Sequence, residues 1–227
     1  MQYTLDWVRQ EVARLQGEGA GNIRVHPNGF IQVDLLATEE SWHASHHKGH
    51  SGATLRLHIW NPPDHVLPRQ GTVNELHTHV FDMHSTIVRG KMNQRIYTFA
   101  VGSEWHSHRD LDKVLKGPVG GPELFKLYKA VYAKSSDSRL EDTGVPGVVV
   151  SNFDWSVHEG QDYFQPAFTF HDSDPEGCTV TIMEKTRVYD GDAYVLVPVA
   201  IEPDNSYDRA SASTPEYLWS AVEAAVA

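Results

Sequence analysis

Three histidines carry the strongest chemical signal in this sequence: His77, His79 and His171. Neutral imidazole ligates divalent ions well. Two of them at i and i+2 on a β-strand point to one face and can grip an ion from one side, whereas a helix would need spacing i, i+3 or i, i+4. His77 and His79 head a strand-like run from Val80 to Gly90. His171 closes a second such segment that begins at Tyr163. Along it Tyr163, Gln165, Ala167, Thr169 and His171 alternate with Phe164, Pro166, Phe168 and Phe170, so one face carries polar tips and the other is greasy. That pattern suits a strand lining a functional interior. Three neutral imidazoles on facing strands would hold a divalent ion and leave positions open for water, O2 or substrate.

Other residues could serve such a centre. Tyr163 shares a face with His171 in this reading and could act as an acid or hydrogen-bond donor. Asp82 and His84 have the opposite parity to His77 and His79. A bulge could turn either inward; otherwise they, with Gln165, are candidates to support the ligands from behind. Arg56, His58 and Trp60 share one face of a strand. Turned inward, that face would bind a substrate carboxylate through Arg56 and stack on Trp60. Turned outward, its arginine would snorkel to water. His43, His46, His47 and His50 form a further cluster, read as a polar loop or as a rim around the site. Trp105, His106 and His108 lack strand alternation and read as a solvated loop. Cys178 follows Gly177 in an expected turn with no base beside it.

The elements that must position these residues are mostly strands. Apolar residues at Leu5, Val8, Val12 and Leu15 predict a helix over about 4–16, stopped by Gly17 and Gly19. Strands are predicted at 23–25, 30–36, 55–60, 87–101, 148–150, 163–171, 179–183 and 193–197, with turns at Pro27 to Gly29 and at Gly90. Residues 102–144 are rich in Gly, Pro, Lys and Ser and read as an insertion or lid, with a short hairpin at Leu124 to Tyr132. Thr214 and Pro215 open a final helix over about 214–226. Many short strands between Gly and Pro turns, flanked by short N- and C-terminal helices, predict a mainly β fold. We read 1–227 as a single domain whose β-barrel or jelly roll spans about 23–200.

Composition narrows the function. The chain has 227 residues and a formal charge of -11, with 30 acidic against 19 basic side chains and no basic run. That disfavours a nucleic-acid backbone as partner. No apolar stretch is long enough for a membrane helix, and the start from Met1 to Trp7 predicts no secretory signal. Cys178 is the single cysteine, which fits a reducing, cytoplasmic setting. Neither a Gly-rich phosphate loop nor a Gly-x-Ser-x-Gly elbow is present.

His77-x-His79, the run Ser85 to Gly90, and a distant His171 followed by Thr179 to Ile182 together resemble the cupin superfamily. They look most like the cupins related to cysteine dioxygenase, in which three histidines hold ferrous iron. The resemblance covers roughly residues 53–200. Met83 stands where many cupins have a fourth, glutamate ligand, which points to a three-histidine site. Ala167 follows Pro166 where the second motif has Pro-x-Gly. The resemblance implies a cupin-type jelly roll, a homodimer, and a non-haem Fe(II) oxygenase or dioxygenase acting on a small polar molecule, amino-acid-like or a carboxylate. Two alternatives stay open. One is a Zn(II)-, Mn(II)- or Ni(II)-dependent isomerase or lyase; the other is a non-catalytic binding protein that uses the barrel as a pocket.

Overall fold

The computed structural model describes residues 3–19, 22–35, 55–68, 76–101, 124–132, 137–203, 207–208 and 213–227. Helix α1 (Leu5–Gly17) starts where the Thr4 side chain accepts from the Trp7 N–H at 3.2 Å, and it buries Val8, Val12 and Leu15. Helix α2 (Pro215–Val226) starts in the same way, with Thr214 accepting from the Tyr217 N–H and Pro215 in the first turn.

The strands between them are β1 (Asn22–Val25), β2 (Ile31–Leu35), β3 (Leu55–Trp60), β4 (Leu76–His77), β5 (Phe81–Val101), β6 (Leu124–Tyr132), β7 (Asp137–His158), β8 (Asp162–Gln165), β9 (Phe170–Val188), β10 (Ala193–Pro198) and β11 (Tyr207–Asp208). All the pairings among these strands are antiparallel. From β9 the pairing runs through β4, β10, β6, β7 and β5 and returns to β9, which makes the sheet ring-like. Strands β3, β2 and β1 extend outward from the second half of β9. Among the described residues the fold is therefore mainly β, with two short helices.

Strand alternation separates two faces of that extension. Ile31, Val33, Leu35, Leu55, Leu57, Ile59, Val180 and Ile182 point to one side and pack with α1 and α2 in the main apolar core. Gln32, Asp34, Arg56, His58, Trp60, Thr181 and Met183 are paired across the other side. That inner side continues onto β5 and β8, where Ile87, Met92 and Val157 gather Trp60, Trp155 and Tyr163 around them.

Several expectations change. Gly90 is not a turn between strands. It lies inside β5 at a register shift, with φ +86°, and a Cβ there would come within 2.6 Å of the Cys178 carbonyl oxygen. Glycine thus lets the strand bend against β9. Cys178 lies within β9, not in a turn, and burial pushes its thiol pKa up. Of the expected insertion or lid at 102–144, residues 124–132 form β6, which pairs with both β7 and β10, and β7 begins at Asp137. Residues 102–123 lie outside the described residues, and so do His43 to His50 and Trp105 to His108.

Candidate metal centre

The His77 to His79 segment is held from both sides. His77 pairs with Val195 of β10 and with His171 of β9. Between the two histidines, the buried Thr78 exchanges bonds with Tyr194: its N–H donates to the Tyr194 carbonyl at 2.8 Å, and its hydroxyl accepts from the Tyr194 N–H at 2.9 Å. β4 ends at His77, and these two bonds carry its pairing with β10 one residue further, so the side chains on either side of Thr78 share one face. His171 sits opposite, between His77 and Ile96.

Ring centroids are 4.7 Å apart for His77 and His79, 4.6 Å for His77 and His171, and 5.0 Å for His79 and His171. One nitrogen from each ring can be chosen so that all three lie within 4.8 Å of one another. Metal–nitrogen bonds of about 2.1 Å at tetrahedral angles would set such nitrogens ~3.4 Å apart, so small side-chain rotations bring these rings into a ligating array.

Protonation suits that role. The His171 Nδ1 lies 3.1 Å from the Thr169 carbonyl oxygen. A carbonyl only accepts, so Nδ1 carries the proton and Nε2 presents its lone pair. Burial, then the neighbouring His77, lowers the His171 pKa to about 3. Burial, followed by His77 and His171, also holds His79 well below the usual imidazole value. Neutral imidazoles are the form that ligates. The donor set fits one divalent ion, and three nitrogens leave coordination positions for other ligands.

The predicted strand from Tyr163 to His171 is two strands. β8 ends at Gln165, and β9 begins at Phe170. Pro166 cannot donate to a ladder, and Phe168 adopts a left-handed φ of 59°. The intervening backbone bonds outward instead: the Ala167 N–H donates to the Asp82 carboxylate at 2.8 Å, and the Phe168 N–H to the His79 carbonyl at 2.8 Å. The expected greasy face is also outward-facing, with Phe164 52% and Phe168 45% exposed.

Asp82 therefore holds the loop between β8 and β9. It also accepts from the Tyr189 hydroxyl at 2.7 Å, and a register shift follows it in β5. His84 is opposite Phe164 and Glu184 and is half-buried; it is not part of the histidine group. Tyr163 lies on β8 opposite Ser85. Burial raises its pKa, against the influence of nearby Ser85, Ser173 and Gln94, so it stays a proton donor at neutral pH. Ser173 is two residues from His171 on the same face of β9, which links the tyrosine to the metal side of the interior.

Arg56 faces inward as one reading expected, but it is engaged with Asp34 at 3.2 Å. Arg24 contacts the same carboxylate at 2.6 Å, and Gln32 donates to it at 2.9 Å. Burial works against ionised Asp34, but Arg24, Arg56 and Gln32 outweigh it and lower its pKa. His58 and Trp60 join an aromatic row: His26 stacks on Phe30 at 4.2 Å, and Phe30 meets His58 at 4.7 Å and Trp60 at 4.0 Å. Burial, then Arg56, lowers the His58 pKa to about 3.

Sequence reasoning missed Thr78, Phe81, Gln94, Ser173 and Lys185. Phe81 stacks on His79 at 4.6 Å, and the Lys185 ammonium lies 4.5 Å from the Phe81 ring centre. Parity could have found Ser173, two residues after His171. Gln94 and Lys185 become neighbours of the site only through strand pairing.

No family model matches the chain, and no curated protein matches it. Among solved structures it is similar to Drosophila melanogaster CENP-C bound to CAL1, at 8% identity over 79% of this chain and 96% of that one, with a TM-score of 0.35. A likeness at that level carries no argument about fold or function.

Proposed function

We propose that this chain is a cupin-type, metal-dependent enzyme that uses His77, His79 and His171 to hold Fe(II) and oxygenate a small polar molecule. The observation that carries the reading is the convergence of three imidazoles beside a buried, polar inner face, with His79 and His171 held neutral by burial. Ferrous iron held by three neutral nitrogens supplies redox chemistry and open coordination positions.

The chain's own residues have separate tasks. His171 is oriented by Thr169, and the His77 to His79 segment by Thr78. Tyr163, protonated at neutral pH, donates a hydrogen bond to a substrate on the inner face. Met92, Ile87 and Val157 exclude water from that side. Arg56 balances Asp34, so it is not the anchor of a substrate carboxylate in this proposal.

The donor set suits zinc as well as iron, which supports a second reading as a Lewis-acid isomerase or lyase. One experiment separates the two. Freshly purified protein is analysed for metals, then stripped, reloaded anaerobically with Fe(II) and exposed to nitric oxide for EPR. Iron with a nitrosyl signal, and O2 uptake with members of a metabolite panel, are the expected results. Zinc with O2-independent turnover would replace the oxygenase reading, and no bound metal would end both.

A further inference from the structure

Gln165 is 1% exposed, and neither its Nε2 nor its Oε1 has a hydrogen-bond partner among the described residues. A buried carboxamide with both ends unpaired is costly, because each unmade bond forfeits the hydration the group had in the unfolded chain. The residue is not at a mobile edge. It is paired with Met83, two positions after the inward-facing Tyr163, and it enters the turn whose backbone is tied to Asp82 and to the His79 carbonyl. Met83 in turn faces Lys185 on β9, beside the Phe81 and His79 stack. Gln165 therefore ends β8 on the inner face, where the turn that leads to His171 begins.

The same neutral, unmet hydrogen bonding recurs further along that face. The Nε2 of His58 and the Nε1 of Trp60 are buried without a hydrogen-bond partner among the described residues. Indole N–H is a donor only, whereas the Gln165 amide offers both a donor and an acceptor. Of the cations near this face, Arg56 is engaged by Asp34, and the Lys185 ammonium lies over the Phe81 ring, 4.5 Å from its centre. A charged group seated against these neutral dipoles would lose more hydration than they return. An uncharged group with both an acceptor oxygen and a donor N–H matches them, and the reciprocal partner of a carboxamide is another carboxamide.

We infer that Gln165 is a specificity-determining residue that receives an uncharged, carboxamide-type group of the substrate, with Trp60 and His58 completing the polar inner face. This rests on the metal-centre reading only in placing the rest of the substrate at the histidines.

The test uses full-length, zinc-loaded protein with benzamide and benzoate as the probe pair. Their binding is followed by the side-chain amide resonances of Gln165 and the indole resonance of Trp60. Benzamide should move both. Gln165→Met should weaken benzamide by about tenfold or more, the worth of one to two hydrogen bonds, while leaving benzoate affinity unchanged. Its unfolding midpoint should hold or rise, because an apolar side chain of similar length removes an unmet polar group. Three results would overturn the inference. The first is benzamide leaving the wild-type amide resonances unmoved up to its solubility limit. The second is benzoate proving to be the probe whose affinity depends on Gln165. The third is Gln165→Met melting lower or failing to fold, which would make the amide a structural group. Zinc titration is read separately: benzamide bound through Gln165 in protein that takes up no zinc would uphold this inference and overturn the metal reading.

Discussion

Because Thr169 can only accept from His171, the lone pair of the His171 Nε2 is committed to the space shared with His77 and His79. Removing any one imidazole leaves two ligands for a divalent ion, one fewer than the three that hold an ion in an open site. His77→Ala and His171→Ala are each expected to drop bound metal below a tenth of the wild-type stoichiometry by elemental analysis of dialysed protein, an effect of about tenfold or more. His58 gives a second prediction. Its folded pKa is about 3 against an ordinary 6.5, so between those values the unfolded chain binds a proton that the folded chain refuses. Stability therefore rises with pH: the contribution is fully present above pH 6.5 and is lost as pH falls towards 3. Relative to His58→Gln, wild type should lose up to about 1.4 kcal/mol per pH unit across that window in denaturant titrations. Equal slopes would show that His58 is not the buried neutral base described. The histidine trio was legible because its i, i+2 spacing reports a strand face directly. The fate of Arg56 was not, because its partner Asp34 lies on another strand and meets it only through the β2–β3 register.

At the scale of elements, the centre depends on a turn and a bend that alternation cannot reveal. The 163–171 segment alternates convincingly, yet Pro166 and the left-handed Phe168 divide it. Asp82 takes the freed Ala167 N–H and the Tyr189 hydroxyl. Asp82→Ala leaves both donors without their acceptor. It is expected to cost about 2–3 kcal/mol in chemical denaturation and to weaken metal binding by about 10–100-fold, since the loop it holds leads directly to His171. Metal affinity unchanged alongside a stability loss would confine Asp82 to the fold. The bend at Gly90 is tested by Gly90→Ala. The added Cβ would meet the Cys178 carbonyl oxygen at 2.6 Å and the Thr179 Oγ1 at 2.8 Å, at φ +86°. A loss of about 2 kcal/mol or more is expected from strain and from the displaced strand. The sequence marked Gly90 as a break but not its kind, because a turn and a bulge ask for the same residue.

In the whole molecule, the sheet keeps two kinds of interior apart. Leu55, Leu57 and Ile59 turn to the helices, while Arg56, His58 and Trp60, between and beyond them, turn to the polar inner face. The alternation was readable in the sequence. Which side the helices cover was not, since it depends on how α1 and α2 return to the sheet. Arg9 donates to the Val226 carbonyl at 2.6 Å and Arg89 to the Ala225 carbonyl at 2.7 Å, so α2 is tied to both α1 and β5 at its C-terminal end. The long β5, β7 and β9 were also hidden, because the register shifts within or between them read in sequence as ends of short strands. This two-sided construction separates stability from chemistry. Leu218 of α2 is buried in the apolar core on the far side of the sheet from the histidines. Leu218→Ala should therefore cost about 2–5 kcal/mol in unfolding free energy through the cavity it leaves. Zinc affinity of the protein that remains folded should stay within about twofold of wild type, as expected for sites that share no partners. Measuring both on one preparation tests the separation. A matched fall in zinc affinity would mean that the helical core sets the geometry of the histidines through the sheet, and the two faces would then have to be treated as one cooperative unit.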